Sequence, residues 1–265
     1  MPYIYDWPAI IFVCSFILLS LSAWMGSHFF SRYRNADTES EFDLGVIQTA
    51  TLTLLGLIIG FTFSMAITRY DLRQTLEESE ANAISTEYLR ADLLPASSAV
   101  KTKALLVEYL NQRITFYSLR LDDEKKSLRT QTENTQVALW SSILPYVKSQ
   151  NGATPALIAS GMNDVLNAEG YTQAAWWNRI PIAAWTLMIA IAVFANALVG
   201  YGARNYQKNR GLFIIFPLIV SVSFFLIADI DSPTRGIIRI KPRNLLALQA
   251  SLYPQKASVS PSISH

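Results

Sequence analysis

Four stretches of this 265-residue chain are long and apolar enough to cross a bilayer: residues 7–30, 44–67, 180–201 and 212–230. A spanning helix needs about 20 mostly apolar residues to cover about 30 Å of hydrocarbon. Inside lipid every backbone polar group must be satisfied within the segment, so helices are the natural form for such runs. The first run carries no charge, and no Lys or Arg precedes it, so it reads as a retained anchor rather than a cleaved signal. Trp7, Phe29 and Phe30 flank it, and Trp176, Trp177, Trp185 and Tyr201 flank the third run, as interfacial aromatic residues do. Pro217 lies in the early turns of the fourth run, where it could kink the helix.

Only 16% of the residues are charged and 51% are hydrophobic, but the shortage of charge is local. Residues 68–178 are polar and show helical rather than alternating patterning. The fold class expected is an all-α membrane protein, with four transmembrane helices in two hairpins and a helical cytoplasmic insert between the second and third. The parts are 1–67, 68–178, 179–231 and 232–265, and the Ser- and Pro-rich end beyond Tyr253 reads as disordered. Span two should run on without a break to Pro95, because neither Gly nor Pro interrupts Tyr70–Leu94. Arg73 and Glu77 are placed to pair on its surface, while Ala81, Ile84, Tyr88 and Ala91 form a packing stripe. Further helices are expected over 98–121, 132–148 and 155–168, with a solvated turn at Asp122–Lys126 and an interruption at Gly170. Basic residues near span ends favour the side of the insert, including Arg69, Arg73, Arg179, Arg235, Arg239, Lys241 and Arg243. The positive-inside rule then places the insert and both termini in the cytoplasm of a bacterial inner membrane.

Enzyme signals are missing. The chain has one Cys (Cys14) and two His (His28 and His265), and no phosphate loop, His-Glu-x-x-His or Gly-x-Ser-x-Gly. No catalytic residue, metal site or cofactor is expected. A net charge of +2 gives no reason to expect nucleic acid. The alternating acids Asp37, Glu39, Glu41 and Asp43 could suit a hard cation, but read better as a solvated loop.

Two features carry functional meaning. Gln48, Thr51, Leu55, Ile58, Ile59, Thr62, Ala66 and Arg69 recur at steps that put them along one side of span two. In a symmetric oligomer they could line a pore, with Leu55, Ile58 or Ile59 as its constriction, although the same polarity could serve only packing. Asp229 and Asp231 end span four, where a carboxylate must be solvated, paired or part of a cavity. They could form an ion or proton site, or pair with Arg235, Arg239 or Arg69, or Asp231 could cap a helix starting at Pro233.

The runs Gly60-Phe61-Thr62-Phe63-Ser64, Arg69-Tyr70-Asp71, Glu80-Ala81-Asn82-Ala83-Ile84 and Tyr88 to Pro95 are similar to a family pattern. So are Asn163-Asp164, Arg179-Ile180-Pro181, Trp185 and Ile227 to Gly236. Together, over about residues 40 to 252, the chain resembles the bestrophin-like family of uncharacterised bacterial membrane proteins. That family is named for its likeness to bestrophins, pentameric anion channels with four membrane helices and a pore lined by the second. The resemblance implies a homo-oligomer, a pentamer by analogy, that passes chloride-like anions through a lipid bilayer. Animal bestrophins bind calcium through a dense acidic run after the last span. Here a basic stretch follows Pro233 instead, which speaks against calcium gating. Two other readings stay open: a non-conducting sensor or scaffold that binds a partner through the insert, and an ion-coupled transporter that uses Asp229.

Overall fold

The computed structural model describes residues 7–28, 38–119, 122–202, 210–233 and 235–252. Among them the ordered elements are helical: α1 (Pro8–His28), α2 (Thr38–Arg90), a 3₁₀ turn (Ala91–Leu93), α3 (Ala96–Ser118), α4 (Asp122–Ser149), α5 (Ala153–Trp177), α6 (Ile182–Gly202), α7 (Arg210–Asp231) and α8 (Arg243–Leu252). Four helices are long and apolar enough to cross a membrane, in agreement with the four runs in the sequence. The chain divides into two units, one of residues 1–71 with 178–239 and one of residues 72–177 with 240–265.

Helix α2 is 53 residues long and belongs to both units. It meets no proline before Pro95, and Pro95 then holds Leu94 in an extended conformation (ψ 158°), which ends helical propagation.

In the membrane unit, α1 packs against α6 and α7. Span one thus has extensive contacts with spans three and four. The reason is visible in two small residues. A Cβ on Gly26 would strike the backbone carbonyl of Ala197, and one on Gly200 would strike that of Ala23. The two backbones therefore touch directly, as small residues allow where no hydrophobic effect drives helices together in lipid. Ser22 donates to the Val193 carbonyl across the same contact (2.7 Å). The core of this unit gathers Leu19, Leu55, Ala66, Trp185, Met188, Phe224 and Ile227. Pro217 lies inside α7 without ending it.

The helical unit corrects several expectations. Asp122–Lys126 forms the first turns of α4 rather than a free turn, since acids at a helix N-terminus complement its dipole. Gly170 does not interrupt α5, which runs on to Trp177. The turn between α4 and α5 is made at Gly152, whose φ of 131° suits glycine. Arg73 and Glu77 do not lie on a surface; each is 1% exposed. The stripe Ala81, Ile84 and Ala91 is buried as expected, with Tyr88 half-buried. Helix α8 was not foreseen. Phe29, Phe30, Asp37, Leu121 and the tail beyond Leu252 lie outside the described residues, as do the side chains of Glu39 and Glu41.

The α1–α6 contact yields a prediction. Gly200→Val places methyl groups against the Ala23 backbone and should lower the stability of the detergent-solubilised protein, by at least the 1–3 kcal/mol or so typical of overpacking. Gly170→Ala, which meets nothing within 4 Å, should leave the thermal midpoint unchanged or raise it.

Candidate functional site: the two faces of the second helix

From Leu55 to Glu87, helix α2 buries one face. In the membrane unit that face presents Leu55, Thr62 and Ala66, at 2, 3 and 0% exposure. Gln48, Thr51, Ile58, Ile59 and Arg69 are half-buried beside them. Gln48 lies next to Gly202 at the end of α6. Arg69 donates to the Asn178 side chain. The Thr51 and Thr62 hydroxyls donate to the carbonyls of Ile47 and Ile58, both at 2.8 Å. The stripe singled out as pore-lining is thus the packing face of α2. Leu55 and Ala66 sit in the hydrophobic core of the membrane unit.

The opposite face is open. Val46, Thr53, Leu57, Gly60, Phe61, Ser64 and Thr68 are all exposed, Leu57 at 53% and Phe61 at 63%. Hydroxyl residues at Thr53, Ser64 and Thr68 bracket two large apolar side chains. Only 17% of the apolar part of α2 is buried, against 50% of α7.

Within the helical unit the inward face of α2 becomes ionic. Arg73, Glu77, Glu80 and Glu87 follow at steps of four, three and seven, all at 0–1% exposure. Buried charges need partners, and three of the four have hydrogen-bonded ones. Arg73 donates to the Ala175 carbonyl (3.2 Å). Glu80 pairs with Arg113, which is 2% exposed, and is approached by the Tyr117 hydroxyl (3.4 Å) and the Thr172 hydroxyl (3.5 Å). Burial first, and the Glu80 carboxylate second, push the phenols of Tyr109 and Tyr117 well above the ordinary tyrosine range. Glu77 accepts from the backbone N–H groups of Asn244 and Leu245 (both 3.0 Å) and from the Asn244 amide (2.7 Å). It therefore caps the N-terminus of α8 from a distant helix. The spacing of these charges was visible in the sequence, but their burial was not.

The span-four carboxylates are also engaged. Asp229 and Asp231 are each 2% exposed. Both oxygens of Asp229 accept backbone N–H groups, from Ile237 (2.7 Å) and Ile238 (2.8 Å). A side chain at Gly236 would strike Asp229, so the glycine permits this close turn. The Asp231 carboxylate accepts from the Ile180 amide (3.3 Å) and lies 3.6 Å from Arg179. Arg179 is thus an ion-pair partner of Asp231 that the sequence reading did not name, and among the described residues no helix begins at Pro233. Among the described residues no group of three or more potential ligands could hold a metal ion.

The model of the bestrophin-like domain matches residues 13–245. The chain belongs to the bestrophin-like family. No curated protein sequence matches it. A bestrophin homologue from Klebsiella pneumoniae, solved by zinc phasing, superposes with a TM-score of 0.61 at 12% identity, covering 92% of this chain and 97% of that one. Two variants of the Klebsiella homologue give TM-scores of 0.61 and 0.58 at 13% identity, covering 94% and 90% of this chain and 97% and 98% of theirs. At such identities the likeness is one of fold, a bestrophin-like arrangement of membrane helices.

The capping role of Glu77 is open to test. Glu77→Ala removes the acceptor for three α8 donors, and loss of a cap typically costs about 0.5–2 kcal/mol. Amide exchange over 243–252 should rise sharply while that of α3 stays protected; unchanged α8 protection would refute the role.

Proposed function

We propose that this protein is an oligomeric ion channel of a bacterial inner membrane, with its pore lined by the outward face of α2. The observation that carries the reading is the open face itself. The Thr53 and Thr68 hydroxyls donate to the Thr49 and Ser64 carbonyls of their own helix (2.9 and 3.0 Å), but their oxygens keep acceptor capacity on an exposed face, which water suits better than lipid. Water in a shared pore uses that capacity. Leu57 and Phe61 then form the apolar constriction, with Thr53 on one side and Ser64 and Thr68 on the other. This assignment replaces the stripe from Gln48 to Arg69, whose central members are buried within the protomer.

Chloride-like anions are the proposed cargo. Arg69, half-buried at one end of the membrane unit, reaches the neutral Asn178 amide, so its positive charge is not offset there. A cationic mouth raises the local concentration of anions. The positive-inside rule makes that end, the insert and the termini cytoplasmic. A pentamer is the assembly that the family likeness suggests. Asp229 is taken here as a structural clamp rather than a transport site, because both its oxygens hold backbone amides.

Purified oligomer in planar bilayers tests the proposal. Conductance with anion selectivity is expected. Phe61→Ala should enlarge it, while Thr62→Ala, whose hydroxyl is tied to its own helix, should change it little. Correctly assembled protein without conductance would favour a scaffold role, and cation selectivity would remove the anion assignment.

A further inference from the structure

Glu87 stands apart from the other buried charges of α2. Its side chain is 0% exposed, and neither carboxylate oxygen has a hydrogen-bond partner. Glu77 and Glu80 on the same face both have donors. The nearest cation, Arg90 Nη1, lies 3.8 Å from Oε2, too far for a hydrogen bond.

The surroundings disfavour a negative charge in three further ways. Glu87 occupies the last turn of α2, where the helix dipole is negative. The exposed Asp164 on α5 adds a like charge. The backbone of α5 closes over the carboxylate at Gly161, where even a methyl group would strike Glu87 Oε2 and Arg90 Nη1. That seal keeps water from replacing the missing donors. The charged groups acting on Glu87 are thus Arg90 from its own helix and Asp164 from the facing one.

We propose that Glu87 is a buried proton-binding site that is neutral when α5 is packed on α2 at Gly161, and that losing the proton loosens this contact. A buried carboxylate with no hydrogen-bond donor, its nearby Arg90 cation only at 3.8 Å, is the costly state, and the neutral acid is the tolerated one. Burial, opposed by Arg90 and reinforced by Asp164, pushes the carboxyl from 4.5 up to about 7. The folded unit therefore holds this proton more tightly than the unfolded chain does. The stabilisation is complete below about 4.5, fades as the pH rises, and is gone once the pH has passed about 7. Near-neutral changes in pH would then act on a helix that continues into span two. The site does not depend on whether α2 lines a pore.

The test uses the full-length oligomer in detergent or nanodiscs, without any transport assay. Infrared difference spectra should show a carboxylic-acid carbonyl that titrates with a midpoint near 7 and vanishes in Glu87→Gln. Amide exchange in α5 around Gly161, corrected for intrinsic rates, should be slower at pH 6 than at pH 8 in the native protein. In Glu87→Gln it should lose that pH dependence. Gly161→Ala supplies a second arm: its methyl displaces the carboxylate towards water and should lower the midpoint towards the ordinary value of 4.5. No acid titrating near neutrality in the native protein, or a midpoint unmoved by Gly161→Ala, would overturn the proposal.

Discussion

The whole structure depends on one constraint: a single unbroken helix must bury one face through two different surroundings. For its first half the buried face of α2 is made of Leu55, Thr62 and Ala66, which need only close contact. Past Asp71 the same face carries Arg73, Glu77, Glu80 and Glu87. Each brings a large desolvation cost, and the rest of the helical unit is arranged to meet it. Arg113 comes from α3 for Glu80, and Ala175 of α5 offers a carbonyl to Arg73. The N-terminus of α8 is spent on Glu77. The fold of the insert is in this sense an answer to charges placed on one helix, and Glu87 is the place where a proton supplies the answer instead.

The same constraint assigns the open face. Because Leu55, Thr62 and Ala66 are buried within the membrane unit, the face opposite them, with Thr53, Leu57, Phe61 and Ser64, is the one left open. Direct backbone contact between α1 and α6, fixed by Gly26 and Gly200, holds the other spans together without calling on that face.

Much of this was legible in the sequence. Span lengths follow from hydropathy, and the long α2 follows from the absence of proline up to Pro95. The face of α2 that matters could be drawn as a stripe, but its direction could not, because Thr and Gln suit a pore and a helix contact equally well. Burial decided it: Thr62 turns its hydroxyl onto Ile58 and sits at 3% exposure. The charges at 73 and 77 looked like a surface pair because local spacing carries no information about Ala175 or Asn244, distant in sequence. Helix α8 was missed for the same reason, since its cap lies on another helix. The loop 229–238 was legible only as costly carboxylates; Gly236 and the amides of Ile237 and Ile238 supply the explanation.

The central claim concerns which side of α2 faces a shared axis. An experimental structure of the assembled oligomer in lipid measures it directly. The account expects Thr53, Leu57, Phe61 and Ser64 to surround the symmetry axis, with Leu55 and Ala66 enclosed in each protomer. An axis lined by another helix, or an outward face of α2 immersed in lipid, would contradict it.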